Sequence, residues 1–319
     1  MSETVSSPRR GRSLRLAAAL TVLLALAGYV VVQYVSGGGG APRCVVRAAD
    51  GAGDGSPSYA MSPEQAENAA TVSAVGTTRG LPERAVTIAL ATALQESALR
   101  NLDYGDRDSL GLFQQRPSKG WGSAAQIQDP VYSAGEFYDH LVKVPGYSRL
   151  PLTEAAQRVQ RSGFPQAYAK HEPDATLLAA ALTGRSAASL SCSAPNSGVA
   201  GDPAKVRAAL VRDFGPEVLP ASAGRATGGS SAELSVPASV TVTAGHHGNS
   251  ADGGPSPQRG WELAHWAVAQ SAVLGIDEVS YAGRVWSAEQ ASEGWRTADG
   301  STEAARRDSA RDVHIRTAQ

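Results

Sequence analysis

The most constraining feature of this sequence is an uncharged run, residues 85–94, inside the segment LPERAVTIALATALQESALRNL. The composition of the segment favours a helix, and apolar or small side chains would lie on every side of that helix. A helix that is apolar all round is buried by other elements rather than lying at a surface. We therefore expect it to be the buried helix of a mainly α domain.

Helix signals also surround this run. In MSPEQAENAATVSAVGTTRG, Ser62 is the expected N-cap, Pro63 lies in the first turn and Gln65 stands at the capping-box position. Three further helices are predicted at 130–142, 152–161 and 174–183. The region 59–192 is therefore expected to be mostly helical, with irregular loops between the helices.

A second apolar run lies near the N-terminus. Residues 16–35, LAAALTVLLALAGYVVVQYV, carry no charge and are about as long as a helix that crosses a bilayer. The arginines before the run are expected to stay in the cytoplasm. We predict a cytoplasmic basic tail at 1–15, a single transmembrane helix at 16–36 and an extracytoplasmic location for the rest. A cleaved signal peptide is the alternative, because the Ala-Leu-Ala at 25–27 matches a small-x-small site.

Cys44 and Cys192 are the two cysteines of the chain, and both fall on the predicted outer side, where a disulfide persists. A bond between them would close a loop of about 150 residues and stabilise the fold by roughly 4–5 kcal/mol. It would also mark the residues between the two cysteines as one domain. A Gly- and Ser-rich flexible linker is predicted at 37–58, and the folded part is expected to begin near Tyr59. Two unrelated free thiols are the alternative.

The composition changes at residue 193, after which Ala, Gly, Pro and Ser dominate. We predict a linker at 193–234 with one short helix, for which Asp202 is the cap and Gly215 the end. A small α+β module is predicted at 235–319. Its expected elements are a strand at 235–244, a helix at 257–275, a strand-turn-strand around Ala282 and Gly283, and a last strand at 312–318.

Glu96 stands at the far end of the uncharged helix, where its carboxyl group would be partly desolvated. Burial disfavours the charged form and raises the pKa of a carboxyl group. An acid that keeps its proton near neutral pH can protonate a glycosidic oxygen. The alternatives are a glutamate turned to solvent, or one that pairs with Arg100 four residues on.

The residues around Glu96 resemble a known family. QES at 95–97, a polar interval and SLGLFQ at 109–114 are similar to signatures of the lysozyme-like superfamily, in particular of lytic transglycosylases that cleave peptidoglycan. The resemblance covers about residues 44–192 and extends to actinobacterial membrane-anchored proteins with the run GDRDSLGLFQQRPS. It implies that Glu96 is the catalytic acid and base. The residues for which it implies a place at the cleft are Ser97, Ser109, Gly111, Leu112, Phe113 and Gln114, with Phe113 where methionine is commoner.

One acid is sufficient for the chemistry that this resemblance implies. In lytic transglycosylases the 6-hydroxyl of the muramic acid attacks its own anomeric carbon, so a single glutamate acts first as acid and then as base. Hydrolysis normally uses two carboxylates, and Asp103, Asp106 and Asp108 are candidates for the second one beside Glu96. DYGDRDS is also typical of a turn in which aspartates bond backbone amides and pair with Arg107. A calcium loop is a weaker alternative, because the glycine and distal glutamate of an EF-hand are missing.

Further side chains are expected to hold sugar. Trp121 and Tyr132 offer flat faces for pyranose stacking, and Gln114 and Gln115 offer donors and acceptors for acetamido groups. Packing in the core is the alternative for the two aromatic residues. The resemblance also implies a tyrosine that reaches the catalytic glutamate from a late helix, and Tyr168 is the best match by order.

The C-terminal module resembles a small domain appended to actinobacterial cell-wall proteins and, distantly, the later part of zinc-dependent D-alanyl-D-alanine carboxypeptidases. Of the ligands that such an enzyme needs, His314 stands at a matching place, whereas the histidines at 246–247 lie too close to Asp252. Zinc needs three or four ligands, so we predict a lost metal site and no cofactor. His265 and Trp266 are expected to pack on a helix face.

The formal net charge of −1 argues against a nucleic-acid partner. The expected function is that of a membrane-anchored lytic transglycosylase or muramidase-like glycosidase, which cuts the β-1,4 bond between MurNAc and GlcNAc through Glu96. Its expected partners are peptidoglycan glycan strands and, through the N-terminal helix, the membrane. The alternative is a non-catalytic wall-binding or scaffolding protein that keeps the cleft. The partner of the C-terminal module stays open.

Overall fold

In a computed structural model, the described residues of the protein form helices and two small antiparallel sheets. The structure describes residues 42–48, 56–193, 200–219, 233–237, 257–298 and 312–318. The helices are α1 (Pro63–Thr78), α2 (Glu83–Ser97), α3 (Ala124–Ile127), α4 (Pro130–Leu141), α5 (Leu152–Gln160), α6 (Glu172–Leu182), α7 (Pro203–Phe214), α8 (Pro257–Ala269) and α9 (Ser271–Leu274). The strands are β1 (Arg43–Arg47), β2 (Ser58–Met61), β3 (Leu190–Ser193), β4 (Glu233–Pro237), β5 (Ile276–Tyr281), β6 (Arg284–Ser287), β7 (Arg296–Thr297) and β8 (Asp312–Thr317). The expectation of helices combined with an α+β portion is therefore confirmed at this level.

The predictions for the N-terminus concern residues that lie outside the ranges described by the structure. Within the described part of the chain, no helix combines the length and the apolar character that are needed to cross a membrane. The basic tail at 1–15 and the membrane helix at 16–36 lie outside that part, so both stay predictions. The same holds for residues 238–244 of the strand predicted at 235–244.

Helix α2 lies at the centre of the helical region, as its uncharged run predicts. All residues from 85 to 94 are buried. Helices α1, α4, α5 and α6 pack around it. Its buried Thr87 and Thr92 hydroxyls donate to carbonyls one turn back, at 3.0 and 2.7 Å, so their burial leaves them with partners.

The capping box predicted for α1 is confirmed. The Ser62 hydroxyl accepts a hydrogen bond from the Gln65 N–H at 3.2 Å, and the Gln65 side-chain oxygen accepts one from the Ser62 N–H at 2.7 Å. Two N–H groups that a helix start leaves without partners are thereby satisfied. The nitrogen of the Gln65 amide points elsewhere and, as described below, reaches the end of α2.

The first sheet joins the two cysteines. Its strand order is β2-β1-β3, and Cys44 on β1 lies opposite Cys192 on β3. The predicted disulfide between them is confirmed. Strand β1 occupies part of the segment predicted as a flexible linker, 37–58, and that prediction is corrected here. Cys44 and Val46 of this strand are buried in the core, which holds the segment in place.

The second sheet has the strand order β4-β8-β5-β6-β7. Strands β5 and β6 form the predicted hairpin, and its turn residues Ala282 and Gly283 have φ angles of 48° and 71°, which two-residue hairpin turns require. The last predicted strand is also confirmed as β8. The helix predicted at 257–275 is interrupted at Gln270 and ends, as expected, at Gly275 with φ of 64°.

Helix α8 packs on both parts of the fold. It contacts α1, α6 and β3 as well as β5 and β8. Asp213, in the last turn of α7, links these helices: its carboxylate accepts hydrogen bonds from the indole N–H of Trp266 at 2.8 Å and from the Thr71 hydroxyl at 2.9 Å. The described residues of 42–319 belong to one compact unit, and core residues of 59–192 and 235–319 form one hydrophobic cluster.

His265, on α8, is fully buried between α6 and β3. Its Nδ1 donates a hydrogen bond to the Ala181 carbonyl at 2.8 Å, and its Nε2 accepts one from the Ser189 N–H at 3.2 Å. Both nitrogens of the neutral ring therefore have partners. Burial disfavours the cation and lowers the pKa of His265 to about 4.

The free energy of unfolding is expected to fall as the pH is lowered, because His265 is buried in its neutral form. Its folded pKa of about 4 lies below the ordinary value of about 6.5, so in this interval the unfolded chain binds a proton that the folded protein excludes. The loss begins as the pH drops below the unfolded pKa and is complete at the folded pKa, where it reaches about 3 kcal/mol. Urea denaturation at about pH 7 and about pH 4 measures the loss as a difference in the free energy of unfolding.

His265→Gln is the comparison for this measurement, because glutamine fills similar space and does not titrate. We expect the variant to be less stable than wild type at neutral pH and to lose less stability on acidification. Groups such as the partly buried His140 and His171 titrate in both proteins and cancel in the difference. An equal acid-induced loss in wild type and variant would contradict the prediction.

Candidate active site

Glu96 lies in the last turn of α2, where the buried helix approaches the surface. Its side chain is partly buried. Burial raises the pKa of the Glu96 carboxyl group, while the Tyr168 hydroxyl and the Gln160 amide, which interact with the carboxylate, act in the opposite direction. The effect of burial is the largest, so the carboxyl group holds its proton to higher pH than an exposed glutamate does.

Tyr168 donates a hydrogen bond to Oε1 of Glu96, with 2.7 Å between the two oxygens. The tyrosine belongs to the 3₁₀ helix Pro165–His171, and its ring is fully buried. Burial first, and then the nearby Glu96 carboxylate, raise the pKa of Tyr168. Its hydroxyl therefore keeps its proton and acts as a donor. The structure thus brings together the two residues that the family resemblance pairs.

The chain turns sharply after Glu96. Ala98 and Leu99 have φ angles of 52° and 58°, a left-handed conformation that costs about 1–2 kcal/mol for each residue with a side chain. Two amides from α1 hold this turn. Gln65 donates to the Ala98 carbonyl at 2.7 Å, and Asn68 donates to the Leu99 carbonyl at 2.9 Å. Helix α1 therefore fixes the end of α2 that carries the candidate acid.

The loop 109–116 returns beside the end of α2. The Ser97 hydroxyl donates to the Leu112 carbonyl at 2.8 Å, and the Gln160 amide donates to the Phe113 carbonyl at 2.7 Å. Two successive carbonyl groups of the loop are thus held by two different helices. The loop is therefore fastened to the end of α2, which carries the candidate acid, and to the end of α5.

Gly111 allows this loop to turn. Its φ is 73°, and a Cβ atom there would lie 2.7 Å from the Ile127 carbonyl oxygen, so a larger residue does not fit. Leu110 and Gln115, on either side of the turn, exchange two backbone hydrogen bonds of 2.9 and 3.0 Å. The backbone alone therefore requires glycine at this position, whether or not it contacts a substrate.

The residues predicted to bind substrate differ in exposure. Those with buried side chains are Ser97, Ser109, Phe113 and Gln115. Phe113 stacks on Phe137 with ring centroids 4.7 Å apart, and the Gln115 amide donates to the Ser133 carbonyl at 3.0 Å. These four side chains support the loop and face the interior, and the role in substrate binding that was expected of them stays a prediction. Those that keep accessible surface are Gln114 and Trp121.

Trp121 is paired with a second ring. It stacks on His140, with ring centroids 4.2 Å apart and an angle of 27° between the planes. Both side chains are partly exposed. Tyr132 lies against Gly122, where a Cβ atom would approach its hydroxyl to 2.6 Å. One face of Trp121 is thus covered by the imidazole, which leaves a smaller surface for a pyranose than the sequence predicts.

Asp108 holds the next part of the loop. Its carboxylate accepts hydrogen bonds from the Ser118 N–H at 2.8 Å and from Nε of Arg116 at 2.7 Å. Hydrogen bonds from Ser118, and then from Arg116, hold the pKa of Asp108 far below its usual range. The structural alternative for the aspartates is thereby supported, although the partner of Asp108 is Arg116. Arg107 lies 4.0 Å from Asp106 instead.

The amides that organise this site have partners far along the chain. Gln65, Asn68 and Gln160 bond to carbonyls that are 33, 31 and 47 residues away. The capping-box pattern predicts the hydrogen bond that the side-chain oxygen of Gln65 accepts, but it does not predict the partner of the side-chain nitrogen. Such contacts have no local sequence signal.

No metal centre accompanies these residues in the described part of the chain: no group of three or more histidine, cysteine, aspartate or glutamate side chains there is arranged to hold an ion. His314 lies on β8, between β4 and β5. The other residues considered for zinc, 246–252, lie outside the described residues. The lost zinc site therefore stays a prediction.

Comparison with known proteins bears on the C-terminal segment. A family model described as "VldE, C-terminal domain" matches residues 238–308, a minor part of the chain. The described portion of that segment, 257–298, contains α8, α9 and the strands β5, β6 and β7. No curated protein matches the chain. The family match does not reach Glu96 or the loop 109–116.

Proposed function

We propose that this protein is a membrane-anchored, extracytoplasmic enzyme of the lysozyme-like class that cleaves the β-1,4 bond between MurNAc and GlcNAc in peptidoglycan. The observation that carries the proposal is the 2.7 Å hydrogen bond from the buried Tyr168 to Glu96. Burial favours the protonated form of this carboxyl group, and the tyrosine orients it. An oriented, protonated carboxyl group at a helix end is suited to general acid catalysis.

The reaction needs one residue to move the proton in both directions. Glu96 first gives its proton to the glycosidic oxygen while the bond from that oxygen to the anomeric carbon breaks, and Glu96 becomes a carboxylate. Donation from Tyr168 stabilises this charge. The 6-hydroxyl of the MurNAc unit then attacks the anomeric carbon and passes its proton to Glu96. The acid is restored, and the product carries a 1,6-anhydro ring.

The environment of the nearby aspartates supports this single-acid chemistry over hydrolysis with two carboxylates. Asp108 is engaged by Arg116 and by the Ser118 N–H, so it is occupied in holding the loop. Asp103 and Asp106 are exposed, without the burial that distinguishes Glu96. A hydrolase would need one of these carboxylates to act as base or nucleophile at a set distance from the acid.

Location and partners belong to the same proposal. The uncharged run at 16–36 and the arginines before it support an anchor with the remainder outside the membrane. The Cys44–Cys192 disulfide is consistent with an oxidising compartment. Glycan strands of peptidoglycan are the proposed substrate, and the exposed parts of Gln114 and Trp121 are the proposed contacts beside Glu96.

Digestion of purified peptidoglycan by the full-length protein tests the proposed function. We expect released muropeptides with 1,6-anhydro ends, whose mass is lower by one water than that of products with reducing ends. Reducing ends would indicate hydrolysis and would reject the transglycosylase chemistry. If nothing is released while the protein still sediments with peptidoglycan, the non-catalytic wall-binding alternative replaces the enzyme.

A further inference from the structure

Gln95 is the first residue of the QES signature and stands directly before Glu96. Its Oε1 lies 3.2 Å from Nε2 of His171, and both side chains are partly buried. An amide oxygen is an acceptor, so Nε2 of His171 carries a hydrogen and donates it. His171 is the last residue of the 3₁₀ helix Pro165–His171, which also carries Tyr168. Two neighbouring side chains of the signature therefore contact this one short helix.

The two contacts lie one turn apart on the 3₁₀ helix. Tyr168 donates to Glu96 at 2.7 Å, and His171 follows three residues later. Residues three apart fall on the same side of a 3₁₀ helix, which has three residues per turn. Both donors therefore face the last turn of α2, where their acceptors are consecutive residues. One contact alone leaves the short helix able to turn about that contact, and the second contact removes this freedom.

The 3₁₀ helix depends on these two side chains for its attachment to α2. Its residues Gln166, Ala169 and Lys170 are exposed, and so are residues 161, 163 and 164, which lead into it. Hydrogen bonds within a 3₁₀ helix have poorer geometry than those of an α-helix, so the segment gains little stability from its own backbone.

We propose that His171 is a positioning residue for the candidate acid: its hydrogen bond to Gln95 holds the 3₁₀ helix against α2 and so keeps the Tyr168 hydroxyl on Oε1 of Glu96. The inference rests on the proposed function and deepens it, because it gives a role to the first residue of the signature and to a histidine outside it. A donor that is held in place orients the carboxyl group before substrate binds, and such alignment contributes to the rate.

The contact does not require a particular charge on His171. Burial, and then the nearby Lys170, lower the pKa of His171, whereas Asp174 acts in the opposite direction. The ring is therefore neutral near pH 7, and Nε2 carries a hydrogen both in this tautomer and in the cation. Gln95, which faces the ring from α2, does not titrate. The hydrogen bond is therefore expected to persist over the pH range in which Glu96 titrates.

The protonation of Glu96 reports on this contact. Burial, the largest effect, raises the pKa of Glu96, and the Tyr168 hydroxyl opposes it by stabilising the carboxylate. A 3₁₀ helix that moves away from α2 takes this donor with it. Loss of the hydrogen bond between Gln95 and His171 is therefore expected to raise the pKa of Glu96.

The test uses the full-length protein, with a water-soluble carbodiimide and an amine as the probe. Carbodiimides activate protonated carboxyl groups, so mass spectrometry of Glu96 labelling against pH gives a titration midpoint without requiring activity. The exposed Glu217 is the internal reference for the reagent. Tyr168→Phe lacks the hydroxyl and is expected to raise the midpoint by about one pH unit. His171→Leu and Gln95→Met each remove one side of the contact, and we expect both to reproduce most of that rise.

Two comparisons separate positioning from other effects. His171→Gln brings an amide N–H close to the position of Nε2 and does not titrate, so we expect it to restore the wild-type midpoint. If a charge on His171 acted directly on Glu96, the midpoint would rise in His171→Gln and stay unchanged in Gln95→Met, which would contradict the proposal. In a Tyr168→Phe background, His171→Leu is expected to add nothing, because the donor that it positions is already absent. A full additional rise there would also contradict it.

Gln128→Met is the matched control, because it removes a partly buried side-chain hydrogen bond elsewhere in the helical region. The Gln128 amide donates to the Leu102 carbonyl at 2.7 Å, and it is not among the groups that act on Glu96. This variant is expected to have a lower Tm, while the Glu96 midpoint stays where it is in wild type. Thermal melting of every variant shows that folded proteins are compared.

Activity on peptidoglycan gives the second readout. We expect kcat to fall about tenfold in His171→Leu with little change in KM, and to recover in His171→Gln. Unchanged Glu96 midpoints in His171→Leu and Gln95→Met would overturn the positioning role and leave the proposed function standing. If wild type releases nothing, the proposed function fails, and the labelling midpoints still decide whether His171 acts on Glu96 through Tyr168.

Discussion

Glu96→Gln is expected to lower the release of muropeptides by about 10²–10⁴-fold, the range that a general acid contributes. Glutamine has nearly the same size as glutamate, and its amide oxygen can still accept the Tyr168 hydrogen bond, but it has no acidic proton for the glycosidic oxygen. Burial disfavours the charged form of Glu96, so loss of the ionisable group is expected to maintain or raise the Tm. An inactive variant that melts no earlier than wild type separates the chemistry from the fold.

Glu83→Gln is the control for this experiment, because Glu83 lies at the opposite end of α2, about 20 Å away along the helix axis. Its side chain pairs with Arg185 at 2.7 Å. Loss of such a partly exposed ion pair is expected to lower the free energy of unfolding by about 0–1 kcal/mol and to leave digestion unchanged. Equal digestion by wild type and Glu96→Gln would remove Glu96 from the mechanism.

Loss of the disulfide is expected to have the largest effect on stability. Cys44 and Cys192 are separated by 148 residues, and the chain-entropy model assigns a cross-link of this span roughly 4–5 kcal/mol. The whole free energy of unfolding of a domain is about 5–15 kcal/mol, so a large share depends on this bond. Urea denaturation of the double variant Cys44→Ala, Cys192→Ala measures the loss directly.

Reduced wild-type protein is the partner of this experiment. It keeps both sulfur atoms and lacks the bond, whereas the double variant lacks both. Equal losses in the two proteins assign the effect to the cross-link, and a larger loss in the variant assigns the excess to packing of the sulfur atoms between β1 and β3. Losses below about 1 kcal/mol in both proteins would contradict the chain-entropy argument.

Features that depend on neighbours in sequence were predictable. The capping box of Ser62 and Gln65 needs residues three apart, and the β5–β6 turn needs the dipeptide Ala282-Gly283. The burial of α2 follows from its composition, because a helix without a polar face has no side that can meet water. In each case the residues that determine the feature lie close together in the sequence.

Features that depend on distant partners were missed. Strand β1 lies in a Gly-rich context, and its partners are β2 and a strand almost 150 residues on, so RCVVR carries too little local pattern to stand out. The same reason applies to α8. The polar composition of 193–234 indicates a linker, yet it does not determine how far apart the elements on either side lie. Helix α8 packs on α1 and α6 all the same.

The candidate site contains both features that were predictable from the sequence and features that were not. Glu96 and Tyr168 were identified through family motifs, and the structure brings their side chains to 2.7 Å. The orientation of individual side chains in the loop 109–116 was not predictable, since an irregular loop has no period from which inward and outward positions follow. From the sequence, Phe113 and Gln115 were expected to lie at the sugar-binding cleft. In the structure both side chains face the core.

The packing of α8 determines when the hydrophobic core can be completed during synthesis of the chain. A chain is synthesised from its N-terminus, so Glu96, the loop 109–116 and Tyr168 are all made before α8. The faces of α1 and α6 that α8 covers therefore keep their apolar side chains uncovered until α8 has been synthesised. The helices around the candidate acid therefore complete their core late in synthesis, and a nascent chain that stopped within 193–234 would expose that surface.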